Sequence, residues 1–556
     1  MTDKRVMKLC VVFIVMLLFT CACRSIEDIN INNDVVLCDL TSSDFVDGNH
    51  SRGSEYLAAF KTKTATLDGI NIHFASNVFD EMESPSIAET IYEFYYSIYS
   101  LGVETIDEID LYLVSATTTG GPVQLANKLY LTTDYIESGE YKAYLISVIY
   151  GLNSWWQCKA LAELVSVPEE DVTIAADLDD YLEKFEDSYI LSLHPCYFVH
   201  DFADDDTCNI ANRAATALAR FIIDEYGVDT FIHDGNNIAY RRAWLKSMGI
   251  SADTAWLDTD GAKRMDTMRF SVTDDVPMVL SDEDFRLNIN STDWINTSDE
   301  VYFFLLEFCD GVEKLYRRFE EEAPRFYTNL KDDTDVTTVH FRNSNNPTTS
   351  VASMLKAEAI ATDDADVFHE IVHTFMPRAS GEEASWLCEG LVTYLTAPYV
   401  SYYMDSVVVD SITQDWEGDT QEDIFFRSEI VKYYELLNNC KISDILYEKQ
   451  PIYKVYEASA YAAFANPKIK STPAATEPIR SSYGLKGTYP GNELSYCQSM
   501  IFVDYLVEKY GLDTLIEAEM NRESYFALFP NAEVFNEEFS DFYENKLSKY
   551  GITKVK

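Results

Sequence analysis

The sequence predicts a mixed α+β fold arranged as two tandem units of one architecture. Stretches that alternate apolar and polar residues, as strands do, are followed by stretches with apolar residues at helical spacing, and this order occurs twice along the chain. Two local matches link the halves. Trp156, Cys158 and Leu161 parallel Trp386, Cys388 and Leu391, and Tyr226, Gly227, Asp229, Thr230 and Ile232 parallel Tyr510, Gly511, Asp513, Thr514 and Ile516. Coincidence between amphipathic helices is the alternative. The strand, helix, strand, helix order of residues 67–250 decides between them.

Residues 1–22 have the pattern of an export signal. Lys4, Arg5 and Lys8 precede an apolar run from Leu9 to Phe19, and small residues surround Cys21 and Cys23. The run is too short for a permanent membrane span. Either cysteine fits a loose lipoprotein cleavage box, so a lipid-anchored exported protein is expected, with a simply secreted one as the alternative. Residues 23–66, rich in Asp, Asn and Ser, read as a tether that ends in an edge element.

The first unit is expected over residues 67–250. Ile70 to Ser76 and Ile109 to Ser115 have strand periodicity. Ile87 to Leu101, Tyr141 to Tyr150, Trp155 to Leu164 and Ile210 to Tyr226 have helical periodicity, the last stopping at Gly227. Residues 251–283 are polar and Asp-rich, as a linker would be. The second unit, residues 284–530, repeats the order: a strand from Phe285 to Asn290, a helix from Asp299 to Glu320, a strand from Val336 to Arg342, two helices around His369 and Glu389, and a helix from Leu494 to Tyr510 that stops at Gly511. Residues 464–492, rich in Pro, Gly, Ser and Thr, belong in a loop, either a lid or a surface excursion. Residues 531–556 read as a C-terminal helix.

Composition narrows the function classes. The chain of 556 residues carries a formal charge of -50, which argues against nucleic acid because phosphates would be repelled. A hydrophobic fraction of 47% with 13% aromatic residues argues against disorder. The cysteines after the signal are scattered without Cys-x-x-Cys pairs, so no structural zinc knuckle is indicated; export would permit disulfides of unreadable connectivity.

The chemistry concentrates between His369 and Leu395. His369 and His373 are four residues apart on a helix and share a face, so both imidazoles can reach one metal ion. Glu370 stands beside that ion, where a general base for an activated water belongs. A catalytic zinc needs a third protein ligand. Glu389, in a second helix-like stretch, is preferred over Glu382 and Glu383, which fall in the connection. An ordinary core histidine pair is the bland alternative. The pattern His369-Glu370-Ile371-Val372-His373, then Trp386-Leu387-Cys388-Glu389-Gly390 and Tyr394, resembles the gluzincin metallopeptidases, which include thermolysin and the aminopeptidase-N group. The resemblance implies a zincin-like catalytic domain with one Zn2+ ion, acting on a peptide or protein substrate. Two departures limit it. Fifteen residues separate His373 from Glu389, fewer than is usual in the aminopeptidase-N group, and that group's Gly-x-Met-Glu-Asn segment is absent.

Peptide hydrolysis also needs a hydrogen-bond donor for the developing oxyanion. By resemblance, Tyr496 at the start of the Leu494 helix takes that role, with Tyr461 and Tyr483 as alternatives and a core aromatic as the bland reading. Tyr394 is expected to pack. Ser350 to Ala361 lies where related enzymes place a substrate-pairing edge strand, and Glu358 there could meet a substrate amine or be merely solvated. In the first unit Lys159 stands opposite Glu389, Asn212 opposite Tyr496, and Tyr144 to Val148 contains no histidine. That unit is therefore expected to lack metal. His194, His200, His233 and His340 have no partner at ligand spacing. The rival to a peptidase is a cell-surface lipoprotein that binds a peptide or glycan on the same scaffold without cleaving it. Any membrane contact is expected through the lipid anchor only.

Overall fold

A computed structural model describes residues 40–553 apart from 51–58, 107, 118–119, 168–173, 185–188, 274, 293–294, 333–335, 343–350, 354–357, 362–366, 377–384, 397–433, 435–490, 529–534 and 552. The segment expected as an export signal, residues 1–22, and the 464–490 part of the expected loop lie outside these residues. The described fold is mixed α+β. The described residues up to 282 with 286–310 form one compact unit and those of 283–285 with 311–553 the other, a division that does not coincide with the two sequence repeats, the first and second unit.

The first sheet contains β1 (Val46–His50), β2 (Phe60–Leu67), β3 (Ile70–Ala75), β4 (Ile109–Leu113), β5 (Val123–Leu125) and β6 (Lys128–Leu131), in the order β1-β2-β3-β4-β6-β5. β1, β2 and β3 form an antiparallel meander, β3 runs parallel to β4, β4 parallel to β6, and β5 returns antiparallel on β6. α1 (Ser84–Tyr99) supplies the crossover between β3 and β4. Ile70, Ile72 and Phe74 of β3 and Ile109, Leu111 and Leu113 of β4 are buried, and α1 packs against β3. α2 (Thr133–Glu137), α3 (Tyr141–Tyr150), α4 (Trp155–Ser166), α5 (Ala175–Lys184), α6 (Asp205–Tyr226), α7 (Val228–Asp234) and α8 (Ile238–Met248) follow. α3 rests on β6 and α4, and α4 rests on α6.

The second sheet contains β7 (Arg269–Ser271), β8 (Met278–Ser281), β9 (Phe285–Ile289), β10 (Thr337–Phe341), β11 (Val351–Ser353) and β12 (Glu358–Ala361), in the order β11-β12-β10-β9-β8-β7. Read from β7, this is the order of the first sheet. The register repeats as well. Asp110 opposes Lys128 as Thr338 opposes Glu358, and Val123 opposes Tyr130 as Val351 opposes Ile360. α9 (Asp260–Thr267) precedes β7; α10 (Ser298–Glu322) and α11 (Pro324–Asp332) stand between β9 and β10. After β12 come α12 (Val367–Phe375), α13 (Ser385–Thr396), α14 (Gly491–Tyr510), α15 (Leu512–Met520), α16 (Arg522–Leu528) and α17 (Phe535–Lys549). The strand, helix, strand, helix order required of residues 67–250 is therefore present.

Three boundaries differ from expectation. The tether assigned to residues 23–66 contains β1 and most of β2, so the first unit begins earlier than residue 67. The linker assigned to 251–283 contains α9, β7 and β8, because the short run Met278-Val279-Leu280 is buried as a strand of the second sheet. That sheet accordingly starts at Arg269 rather than at residue 284. Cys158, Cys196, Cys208, Cys309 and Cys388 are buried free thiols. Among the described residues no helix is long and apolar enough to cross a membrane.

Candidate metal centre

α12 is short and strongly two-sided. Ile371, Val372 and Phe375 turn inward, and Phe375 meets Phe285 at 5.9 Å between ring centroids. The same helix carries the His-Glu-x-x-His sequence, with Glu370 half-buried and His373 buried. α12 packs on β11, on β12 and on α13, and α13 packs on α14. The elements bearing His369, Glu370, His373, Glu389 and Tyr496 are thus successive neighbours.

One side-chain contact fixes the register of α12 on α13. Nδ1 of His373 lies 3.3 Å from Sγ of Cys388, the residue immediately before Glu389. The side chains of His369, Glu389, Tyr496 and Glu358 lie outside the described residues, as do Glu382, Glu383, Tyr461 and Tyr483 altogether. Among the described residues no group of three or more His, Cys, Asp or Glu is gathered for a metal ion.

The floor behind α13 is apolar and braced by charge. Tyr394 is buried, with the Arg318 guanidinium 4.6 Å from its ring centre, and Arg318 also donates to the Tyr394 carbonyl at 3.4 Å. Burial pushes the Tyr394 phenol well above its ordinary range. It is a packing residue. On α14, Asp504 accepts from the Tyr434 hydroxyl at 2.5 Å and pairs with Lys546 of α17 at 3.1 Å, which fastens α14 from its far side. Burial raises the Asp504 carboxyl.

The first unit holds the same arrangement with different side chains. Ser147 of α3 stands beside the Cys158 thiol of α4, as His373 of α12 meets Cys388 of α13, but its hydroxyl donates to the Leu152 carbonyl at 2.6 Å. This placement sets Ser147 opposite His373, Ala143 opposite His369 and Tyr144 opposite Glu370, one residue away from the frame that places Tyr144 to Val148 across the motif. Lys159 stays opposite Glu389, with its ammonium 5.9 Å from the Trp155 ring centre. Tyr144 is buried against Trp155 at 4.8 Å, and Trp155 meets Phe270 at 4.8 Å. Asn212, opposite Tyr496, donates to the carbonyl of Cys208 in its own helix at 2.8 Å. Ala143, Ser147 and Lys159 thus stand opposite the three residues expected as metal ligands, His369, His373 and Glu389.

No protein family, curated protein or solved structure matches this chain.

The remaining histidines have structural partners. His194 is buried, its Nδ1 lies 3.1 Å from Cys196 Sγ, and burial lowers its pKa to about 3, so it is neutral. His200 and His233 face Asp205 and Asp229 at 3.4 and 3.5 Å on the surface. His73 sits between Thr64 at 2.8 Å and Asp110 at 3.1 Å, and His340 lies on β10. Sequence reasoning missed Cys388 as a partner of the motif. The signal was available, since a cysteine recurs at the same place in both units.

Proposed function

We propose that this chain is a single-zinc peptide hydrolase of gluzincin type, with His369, His373 and Glu389 as metal ligands. The observation that carries the reading is the seating of His373 of α12 against Cys388 of α13, one residue from Glu389. The donor set suits zinc: two imidazoles and a carboxylate leave a position open for chemistry. With Nδ1 of His373 turned to Cys388, its Nε2 is the nitrogen left to bind metal. When bound, zinc would supply a Lewis acid for the substrate carbonyl and bring the pKa of water near 7.

The chain's own residues would do the rest. Glu370, half-buried on the motif helix, takes the proton of the attacking water and returns it to the leaving amine. Tyr496 donates to the oxygen that gains charge. β11, at the end of the strand order and in contact with α12, would pair with an extended substrate by strand addition. The first unit is a copy that has lost its ligands; the shared strand order, the shared register and the cysteine recurring at 158 and 388 support descent from one duplicated unit. The export signal with Cys21 or Cys23 supports action outside the cytoplasm on a lipid anchor.

Metal content and hydrolysis of a mixed peptide library by the purified protein, with and without chelator, test the reading. One zinc per chain and chelator-sensitive cleavage are expected. Tight peptide or glycan binding without cleavage or zinc would favour a binding protein instead, the condition that Ala143, Ser147 and Lys159 illustrate in the first unit.

A further inference from the structure

We infer that Cys388 is a positioning residue for the zinc ligand His373, acting as the acceptor that holds the imidazole ring with Nε2 toward the metal. The inference rests on the zinc reading above. A metal-binding imidazole carries its remaining proton on the other ring nitrogen, and the group that accepts it fixes both tautomer and ring rotation. In this chain Nδ1 of His373 lies 3.3 Å from Cys388 Sγ, within hydrogen-bond reach of a sulfur acceptor. Both side chains are buried, so bulk water does not substitute for the thiol. A thiol is a weaker acceptor than the carboxylates that commonly fill this role. It would orient the ring while donating little charge to it, leaving the metal more electron-poor.

An independent observation comes from the first unit. Cys158 is buried at the matching place on α4, beside Ser147 of α3. The cysteine thus recurs, buried and next to the facing helix, even where serine replaces histidine.

The test compares Cys388→Ala and Cys388→Ser with wild type, and Cys158→Ala as a control, by zinc competition against a chromogenic chelator and by the visible spectrum of the cobalt-substituted proteins. Cys388→Ala should weaken zinc binding by about tenfold or more, the low end of what losing such a partner causes, and shift the cobalt bands. Cys388→Ser, which restores a polar acceptor, should recover most of that affinity. Cys158→Ala should leave both readouts unchanged. Unfolding of the metal-free forms separates packing from positioning, since a packing role lowers the apo melting temperature of both Cys388 variants without separating their zinc affinities. Wild-type zinc affinity and an unaltered cobalt spectrum in Cys388→Ala would overturn the inference while leaving the zinc reading intact. Should Cys388→Ala fail to fold, Cys388→Ser decides: an unchanged spectrum and affinity agree with the inference, and a loss as large as tenfold overturns it. A wild-type protein that takes up no zinc overturns both.

Discussion

Asp513 and Asp229 occupy matching places in the two units and do different work. Asp513 reaches from the first turn of α15 to the start of α11. It accepts from the backbone N–H of Phe326 at 3.1 Å, from that of Arg325 at 3.4 Å, and from Nε of Arg325 at 2.8 Å. It is an N-cap supplied from another helix. Burial works against the carboxylate, but these three donors prevail and hold Asp513 below the ordinary carboxylate range. A depressed folded-state pKa contributes stability above the unfolded value of about 3.9, lost as pH falls through the folded value. Asp513→Asn should therefore cost about 1–2 kcal/mol at neutral pH and show a smaller further loss than wild type below about pH 4, read by urea unfolding across pH. Asp229 is exposed and faces only His233, so Asp229→Asn should stay within about 0.5 kcal/mol of wild type. At the proposed catalytic carboxylate, Glu370→Gln should keep zinc bound and reduce peptide hydrolysis by about a hundredfold or more, and full activity in that variant would remove Glu370 from its role.

Elements with strong periodicity were legible from sequence, and those held by context were not. α3 ran over the expected residues, Tyr141–Tyr150, and β4, β9 and β10 lay inside their expected spans, because β9 and β10 alternate cleanly and α3 and β4 are apolar enough to be buried on most sides. β2 was hidden by its composition. In Phe60–Leu67 the alternation is carried by threonine and lysine, and only Thr62 and Ala65 are fully buried, so β-propensity without hydrophobicity looked like a tether. β5, β7 and β11 span three residues each, too few to show a period. Within the candidate site the helices and their pairing were legible, whereas the Cys388 contact depends on helix rotation, which spacing alone does not give. The glycine stops fell at the expected positions, but not in the left-handed helical conformation expected of Gly227: it has φ 92 and ψ 156, and Gly511 has φ 82 and ψ 151. That region is open to glycine and strained for other residues. No atom lies within 4 Å of a Cβ built on Gly511, so the cost of Gly511→Ala is conformational, about 1–3 kcal/mol, measured by equilibrium denaturation.

At the scale of the whole molecule, a metal bound in one unit should leave an unequal imprint on the two. Ligand binding stabilises the native state by mass action, and hydrogen exchange shows where. Zinc should slow exchange in α12 and α13, and a chelator should reverse it, while α3 and α4 exchange at the same rate in both conditions. Equal protection in both pairs would contradict the assignment of ligands to the second unit alone. The repeated strand register also has a bearing on engineering. Since β6 and β12 pair with their parallel neighbours in the same alignment, the two sheets present these strands alike, although α2 stands between β6 and α3. Grafting residues 367–396 in place of 141–166 would ask whether one hairpin of helices can carry its proposed chemistry onto the other sheet's frame.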